Sequence, residues 1–334
     1  VPLIFLVKGS AGPSQAARHN QTPRKADSKL SEFIQQAING LRMGSVYALI
    51  ALGYTMVYGI IRLINFAHGD FIMVGAYTMI FTIPVMLGFG LPAWTAVAAA
   101  VIVASAVGIT TEAVAYRPVR KKGTRMSALI TAIAMSLFLE NLAQVLFTSN
   151  PRVIKASIFS LPTVQIGAVK IDGTTLATIA IAAVTMVFLQ LFIHKTKMGR
   201  AMRAVSEDKQ ASVLMGINVN RTITLTFAIG SALAAVAALM YCAQYPSVMP
   251  TMGSMLGLKA FVAAVLGGIG IMPGAMLGGL TIGLVESLSK AYSASLTGGI
   301  ITSAFSDAVV FAILIIVLLV KPAGILGKNQ GEKV

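Results

Sequence analysis

Read for polarity alone, the chain is a series of long apolar runs broken by short clusters of charge, Gly or Pro. The clearest runs are 94–115, 127–148, 176–193, 223–243 and 301–320. Each approaches or exceeds the roughly 20 residues that a helix needs to cross a hydrocarbon core. None shows the alternation, in segments of about ten residues, that marks a membrane β-barrel. Helices remain as the way to satisfy backbone polar groups in lipid. The pattern therefore predicts an all-α fold, a polytopic transmembrane helix bundle with about eight membrane segments.

Some of those segments read as broken or short. The run 256–292 is interrupted by Gly267, Gly268, Gly270, Pro273 and Gly274, which disfavour a continuous helix. It reads as two abutting segments meeting at a cytoplasm-facing glycine turn, the first too short to span fully. Gly69 and Asp70 interrupt an earlier apolar region, with Asp70 a candidate N-cap for the helix that follows. Whether 33–64 makes one long crossing or two short ones is open at this level. Broken helices persist at membrane depth only when buried in protein or lining a cavity. That points to a transport pathway.

Composition strengthens the membrane reading. Of 334 residues, 56% are hydrophobic and only 11% are charged, and mean hydropathy is +0.82. A soluble domain carries about a quarter charged residues. The net charge of +15 would suggest nucleic acid in a soluble protein. Here the cations fill short loops: Arg117, Arg120, Lys121, Lys122 and Arg125 in one, and Lys195, Lys197, Arg200, Arg203, Lys209 and Arg221 in another. Such loops read as cytoplasmic, so 116–126 and 194–221 share one side of the membrane, and no nucleic acid is expected. The transmembrane domain is assigned to residues 31–327. Residues 1–30 are expected to form a disordered extension rather than a signal peptide, and residues 328–334 a cytoplasmic tail.

Little in the chain suggests catalysis. Cys242 is the one cysteine, so no internal disulfide can form. His19, His68 and His194 lie too far apart for ligand spacing, so no metal is expected, and no nucleophile–base pair stands out. Polar residues inside a membrane are costly and mark pathways by default. Asn65, His68 and Asp70 sit at the first helix break, and Gly267 and Gly268 at the second. Glu140, Asn141 and Gln144 form another group, in which 140 and 144 share a helix face, as do 141 and 144. Together these eight residues form the candidate translocation pathway. Each polar residue also admits a plainer role in an interhelical hydrogen bond or at a helix end. His68 fits a helix-end donor better than a proton relay. Glu112, Glu286 and Asp307 read as isolated, and Gly274 with Gly278 reads as close helix packing.

The loop after Gly199 carries the clearest signal. Ser206 can cap a helix whose first turn holds Glu207 and Asp208, and Gly216 suits the position that ends it. A helix that short is unstable alone in water. It is either propped on its own membrane helices or a docking element for a soluble partner.

Glu207-Asp208-x-x-Ala211-x4-Gly216-Ile217 resembles the coupling loop of ABC importer permeases. The stretches Gly44–Asp70, Ala115-Tyr-Arg-Pro-Val-Arg120 and Ala264–Ala275 resemble signatures of LivH-type branched-chain amino-acid permeases. The likeness runs from about residue 33 to Gly327. It implies an importer with a second, related (LivM-like) permease subunit, two ABC ATPase subunits and an extracytoplasmic solute-binding protein, in the inner membrane of a bacterium. Ser206, Glu207, Asp208, Ala211 and Gly216 would then form the ATPase-coupling loop. The chain has no G-x-x-x-x-G-K-[ST] phosphate loop, so it is expected to bind no cofactor, with ATP held at partner subunits. The implied solute is a branched-chain or other hydrophobic amino acid, with urea or a short amide as the alternative. From other classes come a standalone secondary transporter, with Glu140 carrying a coupling proton, and a non-transporting scaffold.

Overall fold

A computed structural model describes residues 25–159, 161–166, 168–296 and 305–327. Helix α1 (Lys25–Ile61) leads through a 3-10 turn, Phe66–His68, into α2 (Asp70–Gly88). A second 3-10 turn, Ala93–Ala96, opens α3 (Val97–Thr111), which continues through a π-helical turn, Glu112–Tyr116, into α4 (Arg117–Lys122). There follow α5 (Arg125–Phe147), α6 (Gly173–Lys195), α7 (Lys197–Glu207), α8 (Lys209–Leu214) and α9 (Val219–Cys242). The order ends with α10 (Met252–Gly267), α11 (Met272–Leu296) and α12 (Ser306–Val320). Among the described residues six helices are long and apolar enough to cross a membrane, and α10 and α12 are shorter apolar helices beside them. The chain is an integral membrane protein of all-α type.

The two basic loops lie at one end of the bundle, the basic end, where Arg120 of one donates to the Asn220 side-chain oxygen of the other at 2.7 Å. Ile61 ends there too, because the Arg62 guanidinium donates to the Ser206 carbonyl at 3.5 Å. The other end of α1 meets a short hairpin, Val164–Ile166 paired with Val169–Ile171, where the Lys170 N–H donates to Gln35. A second strand pair, Arg152–Val153 with Ser247–Val248, ties the loops of that far end together. The region 33–64 is thus one long crossing: α1 has 37 residues, about 55 Å at 1.5 Å per residue. It begins inside the stretch assigned to the extension. Residues 1–24 of that extension, and the tail 328–334, lie outside the described residues.

From about Arg42 to Ile61 helix α1 is buried on nearly all sides, as an all-round apolar segment should be, while its first turns are polar and exposed. Its closest neighbour is α11, and glycine sets the approach. Gly40 and Gly44 of α1 face Gly279 and Gly283 of α11, a small-x-x-x-small pair on both helices. A Cβ on Gly44 would lie 2.8 Å from the Leu280 Cα, and one on Gly279 or Gly283 would overlap the α1 backbone at Ala48 or Gly44. Gly274 and Gly278 pack α11 equally tightly on Gly267 and Ala263 of α10, as their spacing predicts. By contrast, α5 and α6 turn large apolar side chains outward, among them Leu137, Phe138, Val184 and Phe188.

Both expected breaks are present at the basic end. After Ile61 the chain turns through Arg62, at φ 58, and re-enters the bundle before α2 begins. Helix α10, with 16 residues, spans about 24 Å and stops short of a full crossing. Gly268 and Gly270, at φ +107 and +91, then reverse the chain into α11. The last carbonyls of α10 are satisfied from elsewhere: the Ile325 and Leu326 N–H groups donate to Leu266 and Gly267.

The glycine seam yields a direct test. Gly283→Leu is expected to destabilise the detergent-solubilised protein by about 2 kcal/mol or more through overpacking, read as a lowered thermal midpoint. Gly88→Ala is the control, since a Cβ there meets nothing within 4 Å. Equal midpoints for the two variants would remove the seam from the account.

Candidate functional site

At the first break Asn65, His68 and Asp70 come together, each at most 2% exposed. The Tyr116 hydroxyl donates to the Asn65 side-chain oxygen at 2.6 Å. Tyr116 belongs to the π-helical turn that precedes Pro118, where the missing N–H prevents regular α hydrogen bonding. The His68 ring lies 4.6 Å from the Tyr54 ring, in a notch between Gly53 and Gly230. A side chain at position 53 would overlap the imidazole, so His68 acts as a buried wedge that seats the break. Asp70 is not the N-cap expected of it. Gly69 takes that position, Asp70 is the first helical residue, and its carboxylate makes no capping bond.

Along α5, Ser136, Glu140 and Gln144 recur every four residues on one half-buried face, beside buried Leu139 and Ala143. The Ser254 hydroxyl, from the first turn of α10, donates to Glu140 at 3.2 Å. Ser136 and Glu140 are also the polar side chains that act on Asp70. Asn141 does not join this group: one residue further is about 100° around the helix. It is exposed, and its amide donates to the Leu137 carbonyl at 2.7 Å. Gly267 and Gly268 do not line an open path either. They are pressed against the backbones of Gly274, Ala323 and Gly327, so their part is to make the turn.

Three acids that read as isolated are in fact paired. Glu112, fully buried, accepts from Arg117 at 2.6 Å and the Thr224 hydroxyl at 2.8 Å, with Arg120 at 3.4 Å. Glu286 accepts from Tyr47 at 2.6 Å, Lys259 at 2.9 Å and Lys290 at 2.6 Å. Lys259 also reaches Asp307 at 2.7 Å, so the network joins α1, α10, α11 and α12. Buried charges need such partners. The sequence reading passed over Lys259, although a lone cation in an apolar helix satisfies the same rule that flagged the acids.

In the basic loop, α7 buries Gly199, Met202 and Val205. Here the expected capping is corrected. The apolar period of α7 carries the helix through Ser206, whose hydroxyl donates back to the Arg203 carbonyl, and Glu207 is its last residue. The break falls at Asp208, which is extended. Its carboxylate accepts from the Gln210 and Ala211 N–H groups at 2.7 and 3.0 Å and so caps α8. Gly216, at φ +77, ends α8 as expected, with the Ile217 N–H returning to the Ser212 carbonyl. Ala211 is exposed on α8. Lys209 packs nearer the body, and its partial burial, with Arg120 and Arg62 close by, lowers the ammonium pKa. The tip was missed altogether: Val213, Leu214 and Met215 are 60%, 87% and 81% exposed.

Residues 36–318 match the family model described as branched-chain amino acid transport system / permease component. The chain belongs to this permease family. It is 44% identical over 314 residues to the high-affinity branched-chain amino acid transport system permease protein BraD of Pseudomonas aeruginosa, covering 92% of this chain and 99% of that one. It is 46% identical over 313 residues to the corresponding LivH protein of Escherichia coli K12, covering 90% and 98%. The ribose import permease protein RbsC of the same organism is 28% identical over 238 residues, 70% of either chain.

The buried network of the permease can be tested by subtraction. Lys259→Met strips a cation from Asp307 and Glu286 and is expected to cost about 3 kcal/mol or more, read as a lower thermal midpoint in detergent. Adding Asp307→Asn should recover part of that loss. A double variant as unstable as the sum of its singles would mean that the two residues act independently.

Proposed function

We propose that this permease is the membrane-spanning subunit of an ABC importer that moves branched-chain or other hydrophobic amino acids across the bacterial inner membrane. ATP is bound and hydrolysed by two partner ATPase subunits. The observation that carries this reading is the α8 tip, where Val213, Leu214 and Met215 stand bare in a loop otherwise rich in charge. A contiguous apolar patch rimmed by polar residues is the kind of surface that marks a protein interaction site. By the positive-inside rule the basic end faces the cytoplasm, which puts the tip on the side of the ATPases. The relatives that share nearly its whole length are named for branched-chain amino acids, which favours that solute over urea or amides.

Force has a short route inward. Helix α7 packs on α1, α6 and α9, and Arg62 at the end of α1 reaches the α7 carbonyl of Ser206. A displacement of α8 by the ATPases would tilt these helices and shift the first break, where Asn65, His68 and Asp70 lie. Interrupted helices also aim backbone dipoles at the charged ends of a zwitterion. A related second permease subunit completes the path along the bare α5 or α6 face, and an extracytoplasmic binding protein delivers the solute at the far end.

Replacing Leu214 and Met215 with Glu is expected to release the ATPase subunits during co-purification and to cut leucine uptake about tenfold or more. Asp208→Ala, which loosens the α8 cap by about 1 kcal/mol, should have a milder effect on both. Intact association of the Leu214/Met215 variant with its ATPases would take α8 out of the coupling interface.

A further inference from the structure

Among the described residues three carboxylates are almost wholly buried: Glu112, Glu286 and Asp70. The first two each meet two basic side chains. Asp70, at 1% exposure, meets none; the Ser136 hydroxyl is the side-chain donor turned toward it, and neither carboxylate oxygen is within close hydrogen-bond geometry of a partner. Around it stand the Ser136 hydroxyl, the phenols of Tyr54 and Tyr116, and a second carboxylate, Glu140. An unanswered buried charge beside a like charge is costly. The pair is arranged as though a cation completes it.

We propose that Asp70 and Glu140 form a station for the α-ammonium group of the amino acid in transit. This rests on the importer reading and names the solute's contact within it. Three segments build the station: α2 contributes Asp70, α5 contributes Ser136 and Glu140, and α10 contributes Ser254. Glycine brings α10 this close, since a Cβ on Gly253 would lie 3.1 Å from the Asp70 Cα. Ser254 beside it donates to Glu140 at 3.2 Å. An ammonium group has three donors, which suit two carboxylates and a hydroxyl oxygen. The approach is the half-buried α5 stripe through Gln144, Glu140 and Ser136, a polar line up a mostly apolar helix. An ammonium arriving there supplies the counter-charge that Asp70 lacks, and the departing solute takes it away again.

The test uses the complete importer in lipid nanodiscs and a hydrophobic carbodiimide, which modifies membrane-embedded carboxyl groups, with labelled peptides read by mass spectrometry. Millimolar leucine and leucinamide, which keep the amine, are expected to reduce labelling of Asp70 and Glu140 severalfold. The hydroxy acid 2-hydroxy-4-methylpentanoate, which lacks the amine, should leave labelling as it was. Equal protection by all three compounds, or by none, would overturn the station. Asp70→Asn is expected to lower leucine uptake in proteoliposomes about tenfold or more, with Asp70→Glu restoring part of it. Leucine uptake by the unsubstituted importer reads the transport function separately. Protection without uptake would sink the importer reading and keep the station; uptake without protection would do the reverse.

Discussion

Two helices that touch backbone to backbone set the geometry of the whole bundle. Lipid tails are as apolar as leucine, so helices in a membrane gain little by hiding apolar surface from each other. Close packing and internal polar bonds must hold them instead. The seam of Gly40 and Gly44 against Gly279 and Gly283 supplies the first, because no side chain stands between the axes. It also makes the second possible: Tyr47 on α1 can reach Glu286 on α11 at 2.6 Å only because the helices lie that close.

The buried charges divide the bundle into parts with different duties. Glu286, Lys259 and Asp307 bind α10, α11 and α12 together, and Tyr47 adds α1, so these four helices are tied as one block. At the basic end Glu112 fastens the π-helical turn to α9 through Thr224, while Tyr116 of the same turn holds Asn65. The Ala115–Arg120 stretch therefore anchors the first break as well as neutralising an acid. Helices α5 and α6 carry far fewer buried residues and lean against this frame. Motion between frame and α5 would alter the surroundings of Asp70 and Glu140 without breaking either charged network.

Much of this architecture was readable from the chain, and the parts that were not share a cause. Apolar runs announced the crossings, and Gly267, Gly268, Gly270 and Pro273 announced the turn between α10 and α11, because these features are local. Gly216 ended its helix where it should for the same reason. Pairing is not local: Glu286 finds Tyr47 from 239 positions away, and no periodicity encodes that. Rotation about a helix axis is equally hidden at one residue's resolution. Glu140 and Asn141 look alike in sequence, yet one is half-buried against α10 and the other lies outside. The capping error has a local origin of its own. Ser206 and Asp208 are both good caps, and the choice was made by the buried face of α7, whose Met202 and Val205 keep the helix going past Ser206.

If the α8 tip is the docking element proposed above, it carries a cost for the cell that makes this protein. Leu214 and Met215 are bare on the chain by itself, and under the proposed docking a copy without its partner would leave an adhesive spot uncovered. Proteases and chaperones survey surfaces of this kind. Under that docking, unassembled copies would be short-lived, so the abundance of the membrane subunit would follow the supply of the proposed motor, whatever the rate of its own synthesis.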